Sequence, residues 1–185
     1  MSFAVWLTGL PACGKSAIAR ELSRLLHLRG LAPSVLESDA RTALRLSRWR
    51  PPRWFRVLVM LVTRLGDGWG WIALAALLLL GARAYREVLA GALAPALARF
   101  AVWRLKRRFQ RRRPCELLGL AYEVRVADRF SFPSGHSATS FAIATLLSLA
   151  FPQLSLLFLA MAAAIAASRV LLGLHYVSDV VAGAA

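Results

Sequence analysis

The sequence predicts an all-α, integral-membrane helical bundle over residues 45–185, truncated in its last helix and preceded by a short βαβ fragment over residues 1–44. Three observations point there. The 185-residue chain is 58% hydrophobic, against roughly 45–50% for soluble domains. It nonetheless carries 24 Lys plus Arg against 9 Asp plus Glu, a formal net charge of +15. Finally, its character changes near Leu44, with short alternating elements before that point and long Ala- and Leu-rich runs after it. Apolar spans joined by Arg-rich loops reconcile hydrophobicity with basicity, because the loops meet anionic headgroups. Nucleic-acid binding competes as an explanation of the charge, but a basic nucleic-acid module has no need of the apolar runs. The expected partners are therefore a lipid bilayer and no nucleic acid. Cys13 and Cys115 form no CxxC pattern, so neither a disulfide framework nor a zinc site is expected.

Taken in order, Phe3–Thr8 reads as a buried strand and Ala17–Leu28 has the apolar spacing of a helix, which Gly30 closes. Pro33–Leu36 reads as a second strand. The opening residues lack a basic n-region and a long apolar h-region, so no signal peptide is expected. A basic stretch broken by Pro51 and Pro52 forms the junction, followed by an interfacial helix over Phe55–Leu65, which Arg56 and Arg64 interrupt. Trp69–Ala82, Val88–Trp103, Ser137–Phe151 and Leu154–Leu174 then read as spans. Backbone groups in lipid must be satisfied internally, and runs without alternation select helices over a barrel. The final segment, His175–Ala185, starts like another apolar helix; its length of about 16 Å is half a bilayer core, hence the expected truncation.

Three blocks carry chemistry. In Lys106–Pro114 (KRRFQRRRP), Lys106 and Arg113 stand about two helical turns apart, on one face, and Pro114 ends the helix near Arg113. Read alone, the block is a juxtamembrane cluster that anchors to anionic lipid. In Pro133–His136 (PSGH), Ser134 suits an N-cap and Gly135 allows close backbone approach. A helix start is a ready anion site, and His136 is placed to donate a proton to a leaving oxygen. Its bland reading is an ordinary capped helix. In Ser168–Asp179 (SRVLLGLHYVSD), Arg169 closes one apolar run and His175 opens the next. Ionisable groups at such depth are expensive and are functional candidates. His175 and Asp179 are i,i+4, so a carboxylate there can fix the imidazole tautomer and stabilise its charged form. The bland reading is a helix-surface ion pair.

Together these blocks resemble the three-part signature of the type 2 phosphatidic acid phosphatases: KxxxxxxRP, PSGH and SRxxxxxHxxxD. Every fixed position is matched, and the flanking stretches TRLGDG and HYVSDVVAGA are similar as well. The resemblance covers roughly residues 45–185. It implies a membrane enzyme of the bacterial inner membrane that hydrolyses lipid phosphate or diphosphate monoesters. His175 would be the nucleophile that forms a phosphohistidine, Asp179 its orienting partner and His136 the acid that protonates the leaving group. Lys106, Arg113, Arg169 and the backbone around Ser134 and Gly135 would bind phosphate. The sequence holds no HExxH, DxD or cysteine cluster, and the scheme requires no metal or other cofactor. The motifs read the phosphate and leave the lipid open.

At the other end, Gly9-LPAC-Gly14-Lys15-Ser16 fits the P-loop pattern GxxxxGKS, with Lys15 aimed at terminal phosphates and Ser16 at Mg²⁺. The surrounding residues resemble the start of adenylylsulfate kinase, which implies ATP and Mg²⁺ as ligands. Where that family reads DGDxxR, this chain has Glu37-Ser38-Asp39-Ala40-Arg41, keeping one Asp and the Arg. The resemblance ends near Leu44, before any Walker B strand or lid, and a piece of this size buries too little to stand alone. A remnant is the simpler reading. Three functions stay in play: phosphatase, kinase-like nucleotide binder and inactive membrane fragment. Loss of activity on His175→Ala marks the first, loss on Lys15→Ala the second, and recovery on completing the last helix the third.

Overall fold

The computed structural model describes residues 33–81, 85–118 and 128–185. The strand at Phe3–Thr8, the helix at Ala17–Leu28 and the P-loop residues Gly9, Gly14, Lys15 and Ser16 lie outside them. Among the described residues, all regular elements are helical, apart from a single β-bridge between Arg112 and Phe130.

The first departure from expectation is at Pro33. Instead of a strand, Pro33–Arg48 forms helix α1. Leu36, Asp39, Ala40, Ala43 and Leu44 are all buried, and that 3-and-4 spacing is the signature of one helical face, which outweighs the local strand reading. A proline at the first helical position costs nothing, since that N–H has no intrahelical partner. The helix runs through Leu44, and the chain breaks only at Trp49–Pro52.

Helix α2 (Arg53–Leu65) and α3 (Trp69–Gly81) follow, bent by 61° across the Gly66–Gly68 turn. Gly68 has φ +109°, a conformation L side chains rarely adopt. Helix α2 is more than interfacial: Val59 and Thr63 are buried, and it packs against a central helix, α7 (Ser155–Leu171). Helix α4 (Tyr85–Phe109) contains Pro95 and ends in its basic turn, α5 (Pro114–Leu118) is one short turn, and α6 spans Gly135–Ala150. A 3₁₀ turn at Pro152–Leu154 leads into α7, and α8 (Val177–Ala184) closes the described chain.

The apolar core lies between α3, α6 and α7: Trp71, Ile143, Ala144, Leu147, Phe158, Ala162 and Ile165. Ala144 and Ala162 are wholly buried; small residues at the α6–α7 contact let the two backbones approach closely, as membrane bundles require. The outside is apolar too, with Leu80 86%, Leu156 82%, Leu149 75% and Leu97 70% exposed. So many large apolar side chains facing outward suit hydrocarbon and not water. Among the described residues, Pro152–Leu171 alone is long and apolar enough to cross a bilayer, at 20 residues and mean hydropathy 2.1; α2 and α3 pass the same test as one bent span. The residues of the three blocks gather at one end of this bundle.

Candidate active site

The site is built where α4 ends. Lys106 is in the last turn of α4, but the helix stops at Phe109 and Gln110 turns back with φ +47°. Arg113 is therefore off the helix, and the expectation that Lys106 and Arg113 share a helical face is not met. They converge by another route. Ser131 donates its N–H to the Arg111 carbonyl (2.7 Å) and Arg112 bridges Phe130, so 111–113 pairs with 130–131. This brings Asp128 between the two cations. Its Oδ1 accepts from Lys106 Nζ at 3.0 Å and from Arg113 Nη2 at 2.9 Å, and its carbonyl accepts from Arg113 Nε at 3.2 Å. Burial alone would raise the Asp128 pKa; Lys106 and Arg113 outweigh it and hold the carboxyl below the usual range. A carboxylate thus sits on the two groups expected to bind phosphate.

Arg113 also reaches the nucleophile candidate. Its Nη1 donates to the Leu174 carbonyl (2.8 Å) and lies 3.0 Å from His175 Nε2. Guanidinium has no acceptor, so Nε2 carries the lone pair and Nδ1 the proton. His175 Nδ1 faces Asp179 Oδ2 at 3.4 Å, within ion-pair range but too long for a well-formed hydrogen bond. The pair was expected on one helical face. Helix α8 begins only at Val177, so His175 lies in the preceding loop and Asp179, in the first turn, reaches back. Its Oδ2 also accepts the Tyr176 N–H at 2.9 Å. The loop is shaped by Gly173 (φ +67°), and the Arg169 carbonyl accepts the N–H of Leu174 (3.0 Å) and His175 (3.2 Å). Burial, with the nearby Arg113 charge, pushes the His175 pKa down to about 4 despite Asp179.

His136 occupies the first turn of α6, where its Nε2 meets Asp67 Oδ1 at 2.7 Å. Asp67 comes from the α2–α3 turn, and Gly66 beside it has no room for a Cβ between Ile165 and His136. Arg169 is buried in the last turn of α7, its Nη1 bonded to Thr63 Oγ1 at 2.7 Å, within Coulomb reach of Arg113, Asp67 and Asp128. Arg113 and Arg169 both act on His136, so the three blocks do form one centre.

Ser134 and Gly135 divide. Ser134 caps α6 as expected, its Oγ accepting from Ser137 N at 3.3 Å. Its own N–H, however, is used on the Asp179 carbonyl (2.8 Å), and its side chain is fully buried. Ser134 thus holds α6 to α8 and offers phosphate no donor, contrary to expectation. A Cβ at Gly135 would meet nothing closer than Val102 at 3.8 Å, so that backbone stands open, as expected. Four residues escaped the sequence reading. Asp67 and Asp128 are two, and Asp39 and Arg111 are the others. Arg111 is 2% exposed and donates to Asp179 Oδ1 (2.7 Å), Ser178 Oγ (2.7 Å) and Asp39 Oδ2 (2.9 Å). Burial works against its charge, but Asp179 and Asp39 outweigh it and raise the Arg111 pKa. A separate cavity of about 310 Å³ borders Asp39, Trp49, Arg50 and His175; neither Lys106, Arg113 nor His136 lines it, so it is not the phosphate cradle.

Residues 87–185 match the family model of the PAP2 superfamily, all three blocks included. The chain belongs to the PAP2 superfamily. A transmembrane PAP2-type phosphatidylglycerolphosphate phosphatase from Bacillus subtilis is similar in structure, with TM-score 0.65 and 26% identity over 93% of this chain and 89% of that one. The lipid A 1-phosphatase of Rhizobium etli is 47% identical over 55 residues, 30% of this chain and 24% of that protein. The matched stretch thus spans about a quarter of the length of these curated relatives. Residues 1–47 match the adenylylsulphate kinase model, and the adenylyl-sulfate kinase of Rhodopirellula baltica is 57% identical over 35 residues, 19% of this chain and 14% of that protein. Like its PAP2 relative of known structure, the chain is an integral-membrane protein.

Proposed function

We propose that the chain is a hydrolase of the bacterial inner membrane that removes the terminal phosphate from a lipid phosphate or diphosphate through a phosphohistidine. The supporting observation is that Lys106 and Arg113 share the Asp128 carboxylate, itself an anion of phosphate-like demands, while the same Arg113 lies 3.0 Å from the unprotonated Nε2 of His175. Substrate phosphate takes the place of Asp128, with Lys106, Arg113 and Arg169 balancing its charge.

Nε2 of His175 then attacks phosphorus, forming the N–P bond as the P–O bond to the lipid breaks. His136, with one ring nitrogen held by Asp67, delivers its proton from the other to the departing oxygen. Asp179 stabilises the positive ring of the phosphohistidine through Nδ1–H. Water next attacks phosphorus and passes a proton to His136; the N–P bond breaks and its electrons return to Nε2. No step calls for a metal.

Phosphatidic acid, phosphatidylglycerol phosphate, undecaprenyl diphosphate and lipid A 1-phosphate are the substrates to compare, the second and fourth being those the relatives above are named for. Residues 45–185 carry this chemistry, and residues 1–44 are a kinase-derived segment; nucleotide binding at Gly9–Ser16 is a second reading that rests on the match over 1–47. The test is phosphate release from that lipid panel by detergent-solubilised wild type and His175→Ala in EDTA. Release by wild type that vanishes in the variant supports the reading. A folded wild type that releases nothing refutes it, and ATP turnover lost on Lys15→Ala would favour the second.

A further inference from the structure

Asp39 is the carboxylate that the kinase-like segment retains from the DGDxxR pattern, and it is 3% exposed. Both of its oxygens are used. Oδ1 accepts the Ser178 N–H at 3.1 Å, and Oδ2 accepts Arg111 Nη2 at 2.9 Å and the Ser178 hydroxyl. None of these partners belongs to the N-terminal segment. Ser178 is in the first turn of α8, so Asp39 caps, from a distant helix, the turn that carries Asp179. Arg111 completes the ring by donating to Asp179 Oδ1 at 2.7 Å, its guanidinium 3.8 Å from the centre of the Tyr176 ring.

We propose that Asp39 is a positioning residue for the phosphatase centre: by sharing Arg111 and holding the first turn of α8, it keeps Asp179 against His175. The proposal rests on the phosphohistidine reading above. Asp179 serves Arg111 through Oδ1 and both the Tyr176 N–H and His175 Nδ1 through Oδ2, and the contact with His175 is already long at 3.4 Å. A buried guanidinium demands a counter-charge. With Asp39 present, Arg111 divides that demand between two carboxylates. Without it, the whole demand falls on Asp179, which is drawn towards Arg111 and away from the ring it must stabilise. A helix from a kinase-like sequence has thereby become part of a phosphatase's charge network. The remainder of the buried α1 face, Leu36, Ala40, Ala43 and Leu44, contributes only apolar packing.

The test compares full-length wild type, Asp39→Asn, Asp39→Glu and Leu36→Ala in detergent micelles with phosphatidic acid. Asp39→Asn is expected to lower kcat tenfold or more (roughly, for residues coupled in one buried network), leave KM nearly unchanged and slow phosphohistidine formation equally. Asp39→Glu restores part of the loss. Leu36→Ala lowers the melting temperature while the folded fraction keeps its kcat. Wild-type kcat in Asp39→Asn overturns the proposal. So does a loss that Leu36→Ala reproduces at equal loss of stability. The ¹⁵N shift of His175 Nδ1 supplies a readout independent of turnover. If folded wild type released no phosphate, the phosphatase reading would fall, and that shift would decide alone: moved in Asp39→Asn upholds the positioning role, unmoved overturns it.

Discussion

The two histidines of the centre are the same residue in opposite surroundings. His175 has a side chain 2% exposed, set in a loop between Arg113 on one nitrogen and Asp179 on the other. His136 is 25% exposed at a helix start and faces Asp67, itself 43% exposed. Burial and a neighbouring guanidinium keep the first ring neutral with a lone pair available, which is what a nucleophile needs. Burial and Arg169 hold the second below the usual imidazole range as well, but it keeps a carboxylate partner and access to water, which the proposed transfer of a proton in both directions requires. The proposed mechanism thus divides its chemistry by environment, with residue type held constant.

The largest effect that sharpens this contrast separates the two alanine variants. His175→Ala should abolish both phosphate release and the acid-labile phosphoenzyme. His136→Ala should lose roughly 10²–10⁴ in kcat on lipid phosphates yet still trap phosphohistidine from p-nitrophenyl phosphate, whose leaving group needs no proton. Equal loss of trapped phosphoenzyme in both variants would break the assignment. Next in size is Asp67→Asn, expected to cost about tenfold on lipid phosphates and little on the nitrophenyl ester, since it acts through the proton donor. Gly183→Ala tests the scaffold beneath both rings. A Cβ there would overlap the Ser134 carbonyl, forcing α8 off α6; the expected penalty is about 1–3 kcal/mol, read as a lower melting temperature.

The smallest effects concern charge. Asp128→Asn removes the carboxylate that competes for Lys106 and Arg113, so the KM for lipid phosphate should fall a few-fold with kcat retained. The His175 pKa is lowered to about 4, so the neutral nucleophile persists as pH falls and protonation removes it only near that value. With p-nitrophenyl phosphate, whose leaving group needs no proton from His136, the rate of phosphohistidine formation should therefore stay flat from pH 8 to about 5, although an ordinary histidine near 6.5 would lose most of its lone pair by then. In stability the sign is the reverse of a paired histidine. Between the unfolded value near 6.5 and 4 the unfolded chain binds more protons, so acidification through that window destabilises the fold.

Much of this centre was legible. His136, His175, Asp179, Lys106, Arg113, Arg169 and Gly135 stand in motifs whose spacing sequence preserves, and three of the Ala- and Leu-rich runs became α3, α6 and α7 within three residues at each end, while α4 extends from Tyr85 to Phe109, well beyond the expected Val88–Trp103. What sequence concealed was every partner supplied by the fold. Asp39 lies 72 positions from Arg111 and Asp67 lies 69 from His136, and no local period links such residues. Local period also misled at Pro33–Leu36, where four residues read as a strand until the buried face through Leu44 is seen. The Lys106 and Arg113 geometry failed for a different reason: the left-handed Gln110 ended the helix four residues before Pro114 required it. A compositional signal was available, however. The chain has four aspartates, Asp39, Asp67, Asp128 and Asp179, and each of them holds a cation or a histidine of this centre. In so basic a chain, any aspartate near a motif has a surplus of cations to answer.

The contact between Asp39 and Arg111 also has a topological consequence. It fixes α1 and the catalytic loop on the same side of the bilayer, and no apolar run long enough to span separates Gly9–Ser16 from α1 in the sequence. On the proposed reading, the leaflet on which the chain would act and the side on which Gly9–Ser16 would meet a nucleotide are therefore one variable. The basic run at 104–113 favours the cytoplasmic side, where ATP is abundant and the substrates are inner-leaflet lipids. An outward-facing site would instead take the glycine-rich loop beyond the reach of ATP.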